Sequence, residues 1–285
     1  MTVLPFVRPA RPRRYLLCPP EHFDVTYAIN PWMDPAVPVD RARAIAQWHG
    51  LRETYLRLGH DVVTIDAAVG LPDMVFAANG GVVVDGVAIG ASFVHPERMP
   101  EADLYRDHLL AAGIPVVHTT THTNEGEGDL LVAGDVILAG TGFRTDPRTH
   151  AEVARITGHE VVTLRLVDPR YYHLDTALTV LDDHTIAYLP GAFDRDSQRA
   201  LEERYPDAII SSAADAAVLG LNAVSDGRHV VLPTEAEGLA AALAGRGFVP
   251  VPVELSELRK SGGGPKCCTL ELRPARTGSL QEVPA

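Results

Sequence analysis

The sequence predicts an α/β fold of five repeating units arranged about a pseudo-fivefold axis. Three features predict it: a helix, strand, elbow and hairpin in the same order five times over, a polar residue at each elbow, and glycines that stop four of the helices. The elbow residues are Asn79, Glu125, His173, Asn222 and Cys267, so successive elbows stand 45 to 49 residues apart. Helices are read from apolar spacing, as in Ala44, Trp48, Leu51, Tyr55 and Leu58, and strands from β-branched runs bounded by turn residues.

The first unit has a helix over 41–58, a stop at Gly59, a strand over 61–65, an elbow over 76–79 and a turn at Asp85-Gly86. The second repeats this with a helix over 102–112, Gly113, a strand over 115–118, an elbow over 124–129 and a turn at Gly134-Asp135. In the third, a helix over 149–157 and Gly158 precede a strand over 160–164, an elbow over 172–176 read as extended, and a turn at Asp182-Asp183. The fourth runs through a helix over 197–204, a strand over 208–211, Leu221-Asn222 and a turn at Asp226-Gly227. A helix over 235–246, Gly247, a strand over 248–253 and the elbow over 262–269 make the fifth. Units of this kind cannot bury their cores alone, so 1–285 is expected to form one closed domain, with 1–14 and 276–285 as flexible tails.

Composition excludes several function classes. A hydrophobic fraction of 46% and a charged fraction of 22% suit a globular protein. No apolar run approaches the roughly 20 residues of a membrane span. The basic start (Arg8, Arg11, Arg13, Arg14) is followed by no apolar stretch, which argues against a secretory signal. Three cysteines, two of them adjacent, argue against a disulfide framework or a zinc site and fit a reducing cytoplasm. A net charge of −12 disfavours nucleic acid as a partner and is compatible with a small cationic substrate.

Chemistry concentrates at the elbows. Glycines 262–264 let backbone approach a ligand closely just before Cys267. Cys267 is a candidate nucleophile, with a small buried hydrophobe as the alternative. A nucleophile needs its thiolate, which Lys266 or a protonated histidine would favour. His173 and Asp175, if extended, share one face, so one can move protons while the other accepts a cationic donor. Glu125, Glu127 and Asp129 cluster among glycines between apolar runs. This is either a solvated turn or a buried acidic site, and a buried site needs a partner such as a guanidinium. Arg144 follows the hairpin, as a surface residue or as a bidentate holder of a substrate carboxylate.

Together the stretches Glu125–Asp129, His173–Thr176 and Gly262–Cys267 resemble the guanidine-modifying enzymes of the pentein superfamily: arginine deiminases, dimethylarginine dimethylaminohydrolases, amidinotransferases and arginine dihydrolases. The resemblance covers nearly the whole chain. It implies a five-bladed αβ propeller with a Cys–His–Glu site at its centre, the first of two adjacent cysteines as nucleophile, and no cofactor or metal. Asp175 is similar to the deiminase pattern and argues against a dimethylated substrate, whose methyl groups displace N–H donors. Asn79 is similar to the arginine dihydrolases, as is the segment 27–33, in which Asn30 is a candidate contact. By the same similarity Glu125 is preferred to Glu127 as the catalytic carboxylate. The expected activity is therefore arginine to ornithine through citrulline, with dimethylargininase, arginine deiminase and amidinotransferase as rivals. A non-catalytic binding protein of the same fold is the alternative from another class. The expected partner is a small guanidine in the cytoplasm, with neither nucleic acid nor membrane, and a homo-oligomer is left open.

Overall fold

Glycine sets the helix ends. In the computed structural model, which describes residues 8–275, the helices Arg41–Arg57, Met99–Ala111, Arg148–Thr157 and Glu237–Gly245 run into Gly59, Gly113, Gly158 and Gly247. These glycines have φ of 87°, 90°, 72° and 79°, a left-handed conformation that favours glycine. The helix Arg195–Arg204 ends at Tyr205 instead. Asp40 and Asp194 begin two of the helices by accepting from the backbone N–H of Arg43 and Ser197.

The described strands form five three-stranded sheets. In one, Gly81–Val84 and Val87–Gly90 pair antiparallel across Asp85-Gly86, where φ is 51° and 80° as a tight hairpin turn requires. The chain then passes through Met99–Ala111 and returns as Val117–His118, parallel to Val87–Gly90. Three more sheets repeat this order: Leu130–Ala133 with Val136–Thr141 and Glu160–Arg165, Leu178–Val180 with Ile186–Tyr188 and Ile209–Ile210, and Val224–Ser225 with His229–Pro233 and Val249–Val253. The fifth joins distant parts of the chain. Leu270–Glu271 pairs antiparallel with Arg14–Leu17, which pairs parallel with Asp61–Thr64.

The repeat is therefore real but shifted in phase from the sequence reading. Each sheet is a hairpin, a crossover helix and a parallel strand, and each elbow carries the chain from one sheet to the next. The elbow over 172–176 is also not extended. Leu174–Ala177 forms one helical turn, because the Leu174 N–H is caught by Asp129 Oδ1 at 3.0 Å and Thr176 Oγ1 donates back to the His173 carbonyl at 2.7 Å. Local side-chain bonds of this kind compete with strand pairing.

Residues 8–14 are tied to the body rather than loose. Arg8 pairs with Asp182 at 2.6 Å and stacks on Phe248, while Arg11 pairs with Asp183 at 2.7 Å. Residues 1–7 and 276–285 lie outside the described residues. No helix among the described residues is long and apolar enough to cross a membrane. The helix Arg41–Arg57 buries Ala44, Trp48, Leu51 and Tyr55 in a cluster with Val75, Phe76, Val253, Cys267 and Cys268, so the core reaches the fifth elbow.

Candidate active site

Because every elbow crosses between sheets, the five elbows lie side by side and are joined by hydrogen bonds. Asn79 Nδ2 donates to the Glu125 carbonyl at 3.4 Å, and His173 Nε2 meets Glu125 Oε2 at 2.7 Å. Asn222 Nδ2 donates to the Asp175 carbonyl at 3.1 Å and to Cys267 Sγ at 3.0 Å. The Ala78 N–H, beside Asn79, donates to the Cys267 carbonyl at 3.0 Å and completes the circuit. Asn79, Glu125, His173, Asp175, Asn222 and Cys267 are all buried.

The glycines before Cys267 are each constrained. Gly262 has φ 85°, and a Cβ at Gly263 would run into the Phe76 ring. Cys267 Sγ–H donates to Asp175 Oδ2 at 3.2 Å. Burial and the adjoining carboxylate both push the thiol well above its ordinary range. Burial likewise pushes Asp175 up to about 6. Lys266 does not supply the favourable charge suggested by its place in the sequence. Its Nζ turns away to Glu127 at 2.6 Å and the Thr269 carbonyl at 2.9 Å.

Of the clustered carboxylates, Glu125 is the one that meets His173. Its Oε2 also accepts from Arg144 at 2.9 Å, and Oε1 accepts from the Val94 N–H at 3.3 Å. Burial alone would raise its carboxyl, but Arg144 and His173 outweigh that and hold it far below the usual carboxylate range. An ionised Glu125 can only accept, so His173 Nε2 carries the hydrogen. Glu127 faces the other way, where Lys266, Arg273 and the Glu271 N–H take its oxygens. Asp129 is consumed by Thr145 Oγ1 at 2.7 Å and by the Leu174 N–H, so it holds the His173 elbow rather than a ligand. The sequence reads Arg144 either as a surface residue or as a bidentate holder of a substrate carboxylate. Here its NH1 serves Glu125, its NH2 donates to the Ile29 carbonyl at 2.9 Å, and its guanidinium lies over the Tyr172 ring. Asn30 donates to the Ser261 carbonyl at 3.0 Å, next to the glycine run. Two atoms in this cluster, Asp175 Oδ1 and His173 Nδ1, are buried with no hydrogen-bond partner among the described residues.

A buried thiol against one carboxylate, beside an imidazole against another, is the donor set of covalent hydrolysis. A family model described as eukaryotic N,N dimethylarginine dimethylhydrolase matches residues 26–274. The chain belongs to this family. It is 57% identical over 270 residues to the N(G),N(G)-dimethylarginine dimethylaminohydrolase of Mycobacterium tuberculosis, covering 95% of this chain and 89% of that one. It is 37% identical to the bifunctional arginine dihydrolase/ornithine cyclodeaminase AgrE of Nostoc sp., over 91% of this chain but only 38% of that longer protein. Among solved structures, the N-terminal domain of the cyanobacterial arginine dihydrolase ArgZ, a Cys-to-Ser variant bound to substrate, superposes with a TM-score of 0.89 at 36% identity. That match covers 92% of this chain and 98% of that one. Like its relatives, this member of the family is a hydrolase of carbon–nitrogen bonds.

Sequence reasoning missed one residue of this family member's site and under-read another. Arg98, only 3% exposed, donates to Asn79 Oδ1 at 2.8 Å and is paired with Glu101. Arginine has no acceptor, so Asn79 must present its oxygen to Arg98 and its Nδ2 toward Glu125. Arg98 lies outside the elbow register, which hid it. Asn222 was visible as an elbow, but nothing in its neighbours gave it a chemical role.

Proposed function

We propose that the protein is a cysteine-dependent hydrolase of the guanidino group of arginine, and that it acts twice, taking arginine through citrulline to ornithine. The five units would stand around a common axis as the blades of an αβ propeller, with the circuit of elbows as its active centre. One observation carries the reading: Cys267 touches Asp175 while His173 touches Glu125, and the free atoms Asp175 Oδ1 and His173 Nδ1 lie in the same cluster. A guanidinium offers N–H donors to Asp175, and its cation supplies the positive charge that Lys266 does not.

In the first half, the thiol proton passes to His173 and Cys267 Sγ bonds to the guanidinium carbon. The His173 imidazolium then protonates a terminal nitrogen, the C–N bond breaks, and ammonia leaves a thiouronium. In the second half, His173 takes a proton from water and the hydroxide adds to the thiouronium carbon. As the C–S bond breaks, the hydroxyl proton of the adduct passes to sulfur, giving citrulline and the Cys267 thiol, and the imidazolium returns its proton to solvent. Glu125, held ionised, stabilises the imidazolium in both halves. A second round on citrulline, with one more water, gives ornithine, carbon dioxide and a second ammonia. Asn79 supports the second round: its Nδ2 can donate to the ureido oxygen of citrulline, which a carboxylate would repel. The likeness to ArgZ over nearly the whole of that domain supports it too.

A second reading, dimethylargininase, is favoured by the 57% identity to the mycobacterial relative. Product masses decide between them. Incubation with arginine is expected to give ornithine and ammonia, and dimethylarginine is expected to release little dimethylamine. Asn79→Asp is expected to stop at citrulline, whereas ornithine formed at the wild-type rate would remove Asn79 from the second step. Cys267→Ser is expected to abolish ammonia release with the circular dichroism unchanged. Dimethylamine as the main product would overturn the first reading in favour of the second.

A further inference from the structure

Four elbow residues have a part in the proposed reaction and the fifth, Asn222, does not. Its side chain is 0% exposed and uses both ends. Oδ1 accepts from the N–H of Gly264 and of Cys267, each at 3.0 Å. Nδ2 donates to Cys267 Sγ at 3.0 Å and to the Asp175 carbonyl at 3.1 Å. The orientation is forced, because two backbone N–H groups can only donate and must therefore face the amide oxygen. The NH₂ end is left against the sulfur. The Asn222 carbonyl also accepts from the Lys266 N–H at 3.2 Å, so one residue clasps the loop at three backbone points and then reaches the reacting atom.

Gly264 keeps this approach possible, since a Cβ there would stand 2.9 Å from Asn222 Oδ1. The ionisable groups facing Cys267 on its other sides do not help it ionise, although the Gly264 backbone favours the thiolate. Asp175 and Cys268 disfavour negative charge on sulfur, and Lys266 is turned to Glu127. Asn222 Nδ2 is a neutral side-chain donor that the structure brings to Sγ. A thiolate accepts such a bond more strongly than a thiol does, because the acceptor is then charged.

We infer that Asn222 is a further catalytic residue, whose side-chain amide donates to Cys267 Sγ and stabilises the thiolate that attacks the guanidinium carbon. It acts as a fixed dipole aimed at developing charge, and it also preorganises the loop that carries the nucleophile. This rests on the reading of Cys267 as nucleophile, but its test does not depend on which guanidine is the substrate.

Asn222→Asp separates the two roles. It keeps an oxygen for the two backbone N–H groups and replaces the donor to sulfur by an acceptor. Alkylation of Cys267 by iodoacetamide, followed by mass across pH, is expected to shift its midpoint upward by about one to two units in this variant. Turnover should fall about 100-fold in kcat with KM little changed. The wild-type protein gives a check free of any folding defect. The NMR signal of the Asn222 side-chain amide should move with the same midpoint as alkylation, and that movement should vanish in Cys267→Ser. A folded Asn222→Asp protein with the wild-type alkylation midpoint would overturn the inference, and so would an amide signal indifferent to the thiol. If instead the wild-type protein released no nitrogen product from any guanidine while the amide still followed the thiol, the proposed function would fall and the Asn222–Cys267 coupling would stand.

Discussion

At the scale of single residues, the two carboxyls of the candidate site are pushed in opposite directions: Arg144 and His173 favour charge on Glu125, whereas burial disfavours it on Asp175. Asp175 sits at about 6 because burial disfavours its ionised form, whereas its ordinary value is 3.8. A carboxyl raised on folding adds stability below its unfolded value and loses it as pH rises through the folded one. Asp175 therefore opposes folding above about pH 6. On the proposed function, the same shift would govern catalysis with the opposite preference, because only the carboxylate can accept a guanidinium. kcat/KM for arginine is expected to fall with a slope of one as pH drops below about 6. The limb in kcat should lie at lower pH, since the bound cation favours the carboxylate. Steady-state kinetics between about pH 4.5 and 8 check this. A kcat/KM that stays level across pH 6 would show that Asp175 is not the acceptor. The individual residues were legible in the sequence to different degrees. Cys267 announced itself by the glycines that its neighbours Phe76 and Asn222 require, and His173 by its place beside Asp175. The polarity of the Asn79 amide was not legible, because it is set by Arg98, a residue with no place in the repeat.

At the scale of elements, the elbow over 124–129 shows how one acidic stretch serves two faces. Glu125 enters the site, while Glu127 points to the opposite side and meets Lys266, Arg273 and the Glu271 N–H. Burial would raise Glu127, but the Arg273 and Lys266 cations outweigh it and hold it below the ordinary range. These three contacts fasten the second elbow to the strand Leu270–Glu271, to Arg273 just beyond it and to the residue before Cys267. Glu127→Gln would leave the largely buried Lys266 without its anion and Arg273 with Glu271 alone, and is expected to cost about 3 kcal/mol. Urea unfolding should show a lower midpoint with an unchanged slope. Turnover per folded molecule should stay within about twofold of wild type, whereas loss of activity in a fully folded protein would place Glu127 in the chemistry after all. Composition alone could not separate Glu125 from Glu127. Both are carboxylates two residues apart among glycines, and the positive φ of 54° at Gly126 decides how the chain turns between them. The hairpins were easier to read, since Asp85-Gly86 and Gly134-Asp135 mark turns by local conformational need. The Leu174–Ala177 turn was not, because a distant carboxylate, Asp129, caps it.

At the scale of the whole molecule, the sheet that joins the chain's two ends matters most. Four sheets contain a hairpin continuous in sequence, but the fifth pairs Leu270–Glu271 with Arg14–Leu17 and so exists only when the rest of the chain has been laid down. That pairing also explains why the repeat was visible while its phase was not: residues some 250 positions apart make the hairpin that the other units make locally. Leu270 is fully buried and packs with Leu16, Cys18, Met74 and Tyr105, so closure is hydrophobic as well as hydrogen-bonded. It stands three residues from Cys267, and the elbow circuit depends on the same loop. Leu270→Ala is expected to destabilise the protein by about 3 kcal/mol through the cavity it leaves. If the units share one cooperative fold, its unfolding followed by circular dichroism, by tyrosine and tryptophan fluorescence and by residual activity should give one coincident transition at lower denaturant. A variant that lost activity well before its secondary structure would show that the fifth elbow opens on its own. The position of Cys267 would then depend on a local latch rather than on closure of the whole chain.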